Sequence, residues 1–372
     1  MNENKTSDIE VEDNKGHSPV SKISEGPFGN TSAGDNINCY TLKNKNGMSV
    51  TFINFGATVV KIEVPDKTGK TADVILGYDD AAGYEAGSIF LGGIIGRFGN
   101  RLKNGRLTID GNHYQSTLND GNNSLHGGVA GFHKRVWLAE LLKDREVPSI
   151  KFSYVSPDGE EGFPGKLNVE VIYSVTDDNE LVINYKAVTD KPTVINMTSH
   201  CYFNLSGDTD KNILDHELTI HADKYTPIDA ESIPTGVLQN VSGTPMDFRR
   251  PSKIGKNINA DDVQLKNGKG YDHNWVLNNY GSGVRSCAVL YDPVSGREME
   301  VLTDQPGLQF YSGNFLDGSF PGKYGKRYNF RTALCLETQN FPDAPNHPDF
   351  PNAVLRPGEV YNQKTIYKFS VR

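Results

Sequence analysis

An all-β fold of antiparallel sheets is what this sequence predicts, on three observations. Apolar residues alternate with polar ones at period two, and turn dipeptides separate the alternating runs. No long stretch carries helical periodicity in 372 residues holding 38 glycines and 19 prolines. Alternation sets one strand face on a core and the other toward solvent.

Residues 1 to about 35 are polar, rich in Asn, Ser, Gly and Asp, and read as a disordered tail. From Cys39 the texture is uniform, with no linker or repeat, so 36–372 is expected to form one domain. Asn46-Gly47 separates YTLKNK from MSVTFINF, and Asp110-Gly111 separates RLTI from NHYQ. Both dipeptides accept the positive φ angles of a tight hairpin turn. In LNVEVIYSV (167–175) every odd position is apolar, and Leu181, Ile183, Tyr185 and Ala187 repeat the pattern. Leu218, Ile220 and Ala222 do so again, as does IYKFSV at 366–371. Short helical turns are expected near 79–84 and 251–258. So many strands in one uninterrupted chain predict a large antiparallel β-sandwich of two packed sheets.

Charge and cysteine usage narrow the function classes. Lys plus Arg number 38 against 46 Asp plus Glu, a net charge of −8. No basic footprint is available for nucleic acid or an anionic membrane, so neither is expected as a partner. No apolar run approaches the ~18 residues of a membrane helix. The start, MNENKTSDIEVEDNKGHSPVSK, lacks the apolar segment of a signal peptide. Cys39, Cys201, Cys287 and Cys335 are far apart, without zinc spacing. They read as free buried thiols in a reducing compartment, with two disulfides as the alternative.

Five stretches carry residues suited to chemistry. In GGIIGRFGNR (92–101) the glycines lack the context of a phosphate loop. Asn100 and Arg101 instead suit hydroxyl oxygens, through an amide and a rigid donor fork, although an arginine is more often a surface ion-pair partner. NNSLHGG places His126 before two glycines, where backbone can approach closely. NMTSHCYFNL sets His200 inside a fifteen-residue uncharged stretch, as a core histidine or as a proton donor in a cleft. GYDHNW puts Asp272 beside aromatic rings, a recurrent way to grip a sugar, although an Asp in a turn often caps its own backbone. CLETQNFPDA places Glu337 after an apolar run, where a partly buried carboxyl gains basicity, although most such residues are solvated.

Two imidazoles, one candidate base and a set of hydroxyl binders fit cofactor-free proton transfer. No GxSxG, P-loop or HExxH is present. Three rivals remain. One is a site for a phosphorylated sugar using Arg97 beside Arg101. Another is a sugar-binding module without turnover. The third is a metal site of His126, His200 and Glu337.

From about Tyr40 to Phe369 the chain resembles the aldose 1-epimerase (galactose mutarotase) family. The segments are GRFGNR, NNSLHGG, SPDGEEGFPG, NMTSHCYFNLSG, IPTG, GYDHNW, QPGLQFYSGNFLDG, CLETQNFPDAPNHPDFP and LRPGE, in the family's order. The resemblance implies a β-sandwich of the supersandwich type. It implies an isomerase that interconverts α and β anomers of hexopyranoses such as galactose and glucose, without cofactor or metal. It further implies His200 as general acid, Glu337 as general base and His126 as a contact to the ring oxygen or a hydroxyl. Asn100, Arg101, Asp272 and Gln309 are the implied substrate binders. The tail before Cys39 departs from the family pattern. A cytoplasmic monomer or weak dimer acting on a small hexose is expected.

Overall fold

The computed structural model describes residues 7–10, 22–319 and 321–372. Three large sheets organise them, and every strand pairing within these is antiparallel. A nine-stranded sheet runs in the order Leu138–Leu141, Ser149–Ser156, Leu167–Val175, Glu180–Thr189, Tyr361–Val371, Arg297–Thr303, Arg285–Tyr291, Glu217–Ile220, Ser252–Lys253. Two six-stranded sheets face it. One holds the N-terminal strands through Thr71–Asp73. The other is built around Asp272–Val276, Gly307–Tyr311 and Leu334–Gln339. The architecture is the antiparallel β-sandwich that alternation predicts.

Register shows why the pattern folds this way. Val169, Val171 and Tyr173 stand opposite Ala187, Tyr185 and Ile183, and all six are buried. Residues directly opposed across a ladder share a face, so both runs load one side of the sheet. That side receives the N-terminal sheet, where the Phe52 ring sits 4.6 Å from Tyr173. Further along, Tyr367 packs on Phe203 at 5.0 Å and donates its hydroxyl to Leu336 O at 2.9 Å. Truncating a buried residue here, such as Val171→Ala, costs a methyl-scale loss of burial plus a cavity, about 1–3 kcal/mol.

Both expected hairpins form, between Asn36–Lys43 and Ser49–Ile53 and between Arg106–Ile109 and Asn112–Gln115. The expected helical turns appear as the helix Ala81–Ala86, capped by Asp80, and the short turn Ile254–Lys256. A second α-helix, Val263–Asn267, and several further single turns lie outside the sequence expectation.

The polar tail needs correction. Lys22–Asn30 is a strand paired with Asn36–Lys43, and Ser7–Glu10 pairs onto it in turn. Ile23 enters the core, Phe28 packs near Tyr84, and Ser32 bonds Glu85. Ladder hydrogen bonds and two apolar anchors order a segment whose composition signals none. The remainder of the expected tail lies outside the described residues. No helix among the described residues is long and apolar enough to cross a membrane, and the four cysteines are free thiols.

Candidate active site

Three adjacent strands supply the floor of the site. Asn274, Gln309 and Glu337 form one cross-strand row, and Asp272, Tyr311 and Cys335 form the next. Opposed residues share a face, so carboxyls far apart in sequence emerge together. The other face sends Trp275, Phe310 and Leu336 into the core. Leu334–Gln339 is therefore buried throughout, with no alternation to read.

Loops supply the walls. Arg101-Leu102 pairs with Ser124-Leu125, which brings Asn100 and His126 together. The His126 N–H donates to Asn100 O and the Asn100 N–H donates to His126 Nδ1, both at 3.1 Å. Both residues hold positive φ, 65° and 52°. Non-glycine residues persist there only where their surroundings over-determine them. Gly127, at φ 84°, must lack a side chain, because a Cβ would stand 2.0 Å from Gly96 O. His200 enters between Thr198–Ser199, paired to Ile94–Ile95, and Tyr202–Phe203, paired to the Glu337 strand. Its ring stacks on Tyr202 at 5.1 Å and meets His126 edge-on at 5.0 Å.

The result is a cavity of about 190 Å³ lined by Asn100, Arg101, His126, His200, Asp272 and Glu337, with Phe90, Tyr202, Tyr311 and Phe315 as aromatic walls. Six of the seven sequence-predicted residues converge there. Gln309 does not line the cavity. Its Nε2 donates to Asp272 Oδ1 at 2.7 Å, so it braces the carboxylate from below. Sequence reading missed Asp120, which accepts from Arg101 Nε at 2.8 Å and aims the guanidinium. It also missed the aromatic walls. Tyr311 and Phe315 sit in the QFYSGNF segment, and Tyr202 follows His200 by two, so adjacency to those motifs was the available signal.

The electrostatics follow from burial. Desolvation lifts Glu337 well above the usual carboxyl range, and nearby Asp272 adds to this, while Arg101 opposes it. Desolvation lowers His200 to about 4 and holds His126 well below its ordinary value, with His200 and Arg101 adding repulsion. His200 Nε2 lies 3.8 Å from Glu337 Oε1. Glu337 Oε2 is buried without a hydrogen-bond partner. Buried polar atoms are normally satisfied, and an orphan marks a place built for something else.

Two rivals lose support on this geometry. Ligand-type atoms of His126, His200 and Glu337 lie within 4.8 Å of one another. However, His126 Nδ1 accepts from a backbone amide, so its hydrogen resides on Nε2. That nitrogen is a donor, and a metal would require it bare. For a phosphorylated sugar, Arg97 would have to face the cavity. It is 2% exposed, and its guanidinium donates to Pro164 O, Gly165 O, Thr193 Oγ1 and Ser156 Oγ. Arg101, already flanked by Asp120 and Asp272, is the one cation lining the cavity among the described residues.

Comparison with known proteins agrees with this reading. The sequence model of the aldose 1-epimerase family matches residues 38–368. The galactose mutarotase of Homo sapiens is 46% identical over 325 residues, covering 87% of this chain and 92% of that protein. The aldose 1-epimerase of Escherichia coli K12 is 42% identical over 331 residues, 88% and 94% of the two chains. Among solved structures, a galactose 1-epimerase from Lactobacillus acidophilus aligns with TM-score 0.81 at 28% identity over 99% of each chain. An aldose epimerase homologue from C. elegans aligns with TM-score 0.80 at 34% identity, over 88% of this chain and 97% of its own. With the family model spanning most of the fold and relatives above 40% identity along nearly their full length, the chain belongs to the aldose 1-epimerase family.

Proposed function

We propose that the protein is a mutarotase that opens and recloses hexopyranoses such as galactose and glucose by acid/base catalysis, with Glu337 and His200 as the catalytic pair. The observation that supports this most is the buried carboxyl–imidazole pair 3.8 Å apart on the floor of a sugar-sized, hydroxyl-binding cavity. Mutarotation requires a proton to leave the C1 hydroxyl while another reaches ring oxygen O5. Glu337 takes the first and His200 gives the second. Rotation about C1–C2 presents the other aldehyde face, and closure returns both protons.

Free-solution acidities would leave Glu337 ionised and His200 part protonated at neutral pH. Burial changes this bookkeeping. With the carboxyl raised and the imidazole lowered, a proton shared by the pair favours the Glu337 side. That is the form reached once the ring is open. The form that opens the ring differs by one proton moved between groups 3.8 Å apart, so the same pair runs both halves of the cycle. His126 supplies a neutral N–H donor for developing charge on O5. Arg101, Asp272 and the Asn100 amide hold hydroxyls, and Gln309 and Asp120 keep Asp272 and Arg101 in place.

The cavity is complete within one fold, and the protein is proposed to act as a monomer or weak dimer on a small hexose. Four free thiols suit a reducing cytoplasm, and a net charge of −8 offers nucleic acid no footprint. Polarimetry of freshly dissolved α-D-galactose, with and without protein, tests the activity. Glucose 6-phosphate run in parallel tests the phosphorylated alternative. A rotation decay that the protein leaves unchanged would overturn the proposal.

A further inference from the structure

His200 has two ring nitrogens, and the shuttle uses one. Nε2 faces Glu337. Nδ1 lies 3.5 Å from Cys335 Sγ, a sulfur-range contact between two fully buried groups. Cys335 and Glu337 are two residues apart on one strand, so both reach the same face of the sheet. The strand that carries the base thus also carries a side chain bonded to the far nitrogen of the acid. The residue's own backbone also hydrogen-bonds the imidazole, and aromatic rings pack around it, with Tyr202 stacked at 5.1 Å, Phe90 at 5.6 Å and His126 edge-on at 5.0 Å.

A histidine that gives and then retakes a proton at Nε2 must keep its other hydrogen on Nδ1. Which nitrogen carries the hydrogen is set by what the other one bonds. A carboxylate at Nδ1 would do this but would also hold the ring as imidazolium and resist the transfer. A neutral thiol sulfur is a weak acceptor. Its S–H is also a weak donor, and because Nε2 is the nitrogen turned to the Glu337 carboxyl, the accepting role at Nδ1 is the one that suits the shuttle, with little effect on basicity. Burial and Glu337 keep the Cys335 thiol well above its ordinary range, so it stays uncharged at working pH.

We propose that Cys335 is a positioning residue of the proton shuttle: its Sγ accepts the Nδ1 hydrogen of His200, so that Nε2 is the nitrogen that exchanges the proton. The inference rests on His200 as the acid of the proposed mutarotase. The test is ¹⁵N NMR of the full-length protein labelled at histidine nitrogen, with kinetics of Cys335→Ala and Cys335→Ser. In the wild type the His200 signal is expected to show hydrogen on Nδ1 and a bare Nε2. Cys335→Ala is expected to move it toward the opposite tautomer. Its kcat should fall roughly three- to tenfold, in proportion to the competent fraction, with KM held within about twofold. Cys335→Ser keeps an acceptor and should restore both the spectrum and at least about half of kcat. Hydrogen on Nε2 in the wild type, or an alanine variant with unchanged kcat, overturns the proposal. If Cys335→Ala does not fold, the wild-type spectrum decides. If the wild type shows no mutarotation, the proposed function fails, while the spectrum still decides the role of Cys335.

Discussion

Arg97 and Arg101 sit four residues apart in GRFGNR and end in opposite situations. Arg97 is 2% exposed, and its terminal nitrogens are spent on carbonyls and hydroxyls of three other segments. Burial lowers it to about 10, so it remains a cation whose role is to hold loops together. Arg101 is fixed through Nε by Asp120, and its Nη1 stands 3.8 Å from Asp272 at the cavity wall. The same contrast divides the buried carboxyls. Asp73 is satisfied by Lys323 Nζ at 2.5 Å and by the amides of Ile62 and Ile75. Glu337 has an oxygen with no partner. The terminal nitrogens of Arg97 and the Asp73 carboxyl are used to join segments of the fold, whereas the Glu337 carboxyl faces the cavity with an oxygen unpaired.

That contrast can be broken from either side. The largest effect is expected at the unsaturated pair. Glu337→Gln and His200→Asn should each lose on the order of 10² or more in kcat by polarimetry, with unchanged thermal melts. On the saturated side, Arg97→Met should leave several buried acceptors unpaired and cost about 3 kcal/mol or more in urea unfolding. Any folded fraction should keep its KM.

The pH profile sharpens the comparison. Below about 4 His200 takes up a second proton while Glu337, raised, keeps its own, so no acceptor remains. kcat/KM should then fall roughly tenfold per pH unit on the acid side. It should fall again on the alkaline side, as the shared proton is lost through the raised carboxyl. An acid limb set near the ordinary histidine value would contradict the burial argument. Arg101→Ala should raise KM about tenfold with little change in melting. Asp120→Asn keeps the shape but weakens the aim, and a KM rise of about two- to threefold is expected. An Asp120 variant that melts much earlier would move it to the structural class.

Much of this was legible in the sequence, for reasons that also mark its limits. Alternation at 167–175 and 181–187 reports strands with one wet face, and those strands pair as the pattern requires. Leu334–Gln339 lies between neighbours and under both layers, so its alternation vanishes and only an apolar run remains. Lys22–Asn30 was invisible because a strand held mainly by ladder hydrogen bonds to its neighbours needs few apolar anchors. The residue types at 100, 101, 126, 200, 272 and 337 were readable as candidates. Their convergence was not, because it depends on register between strands far apart in the chain, as where Tyr202 pairs with Cys335. Gln309 shows the cost: its type suits a sugar, but its cross-strand row turns it toward Asp272. Cys335 and Asp120 act through other side chains, and no spacing announces that.

One consequence follows from the shared proton. In the proposed shuttle a single hydrogen passes back and forth between two enclosed groups and nothing is consumed, so the reaction shortens the wait for anomers to equilibrate without tilting their ratio. Its usefulness to a cell is therefore one of timing, keeping whichever ring form a stereoselective neighbour withdraws from running short.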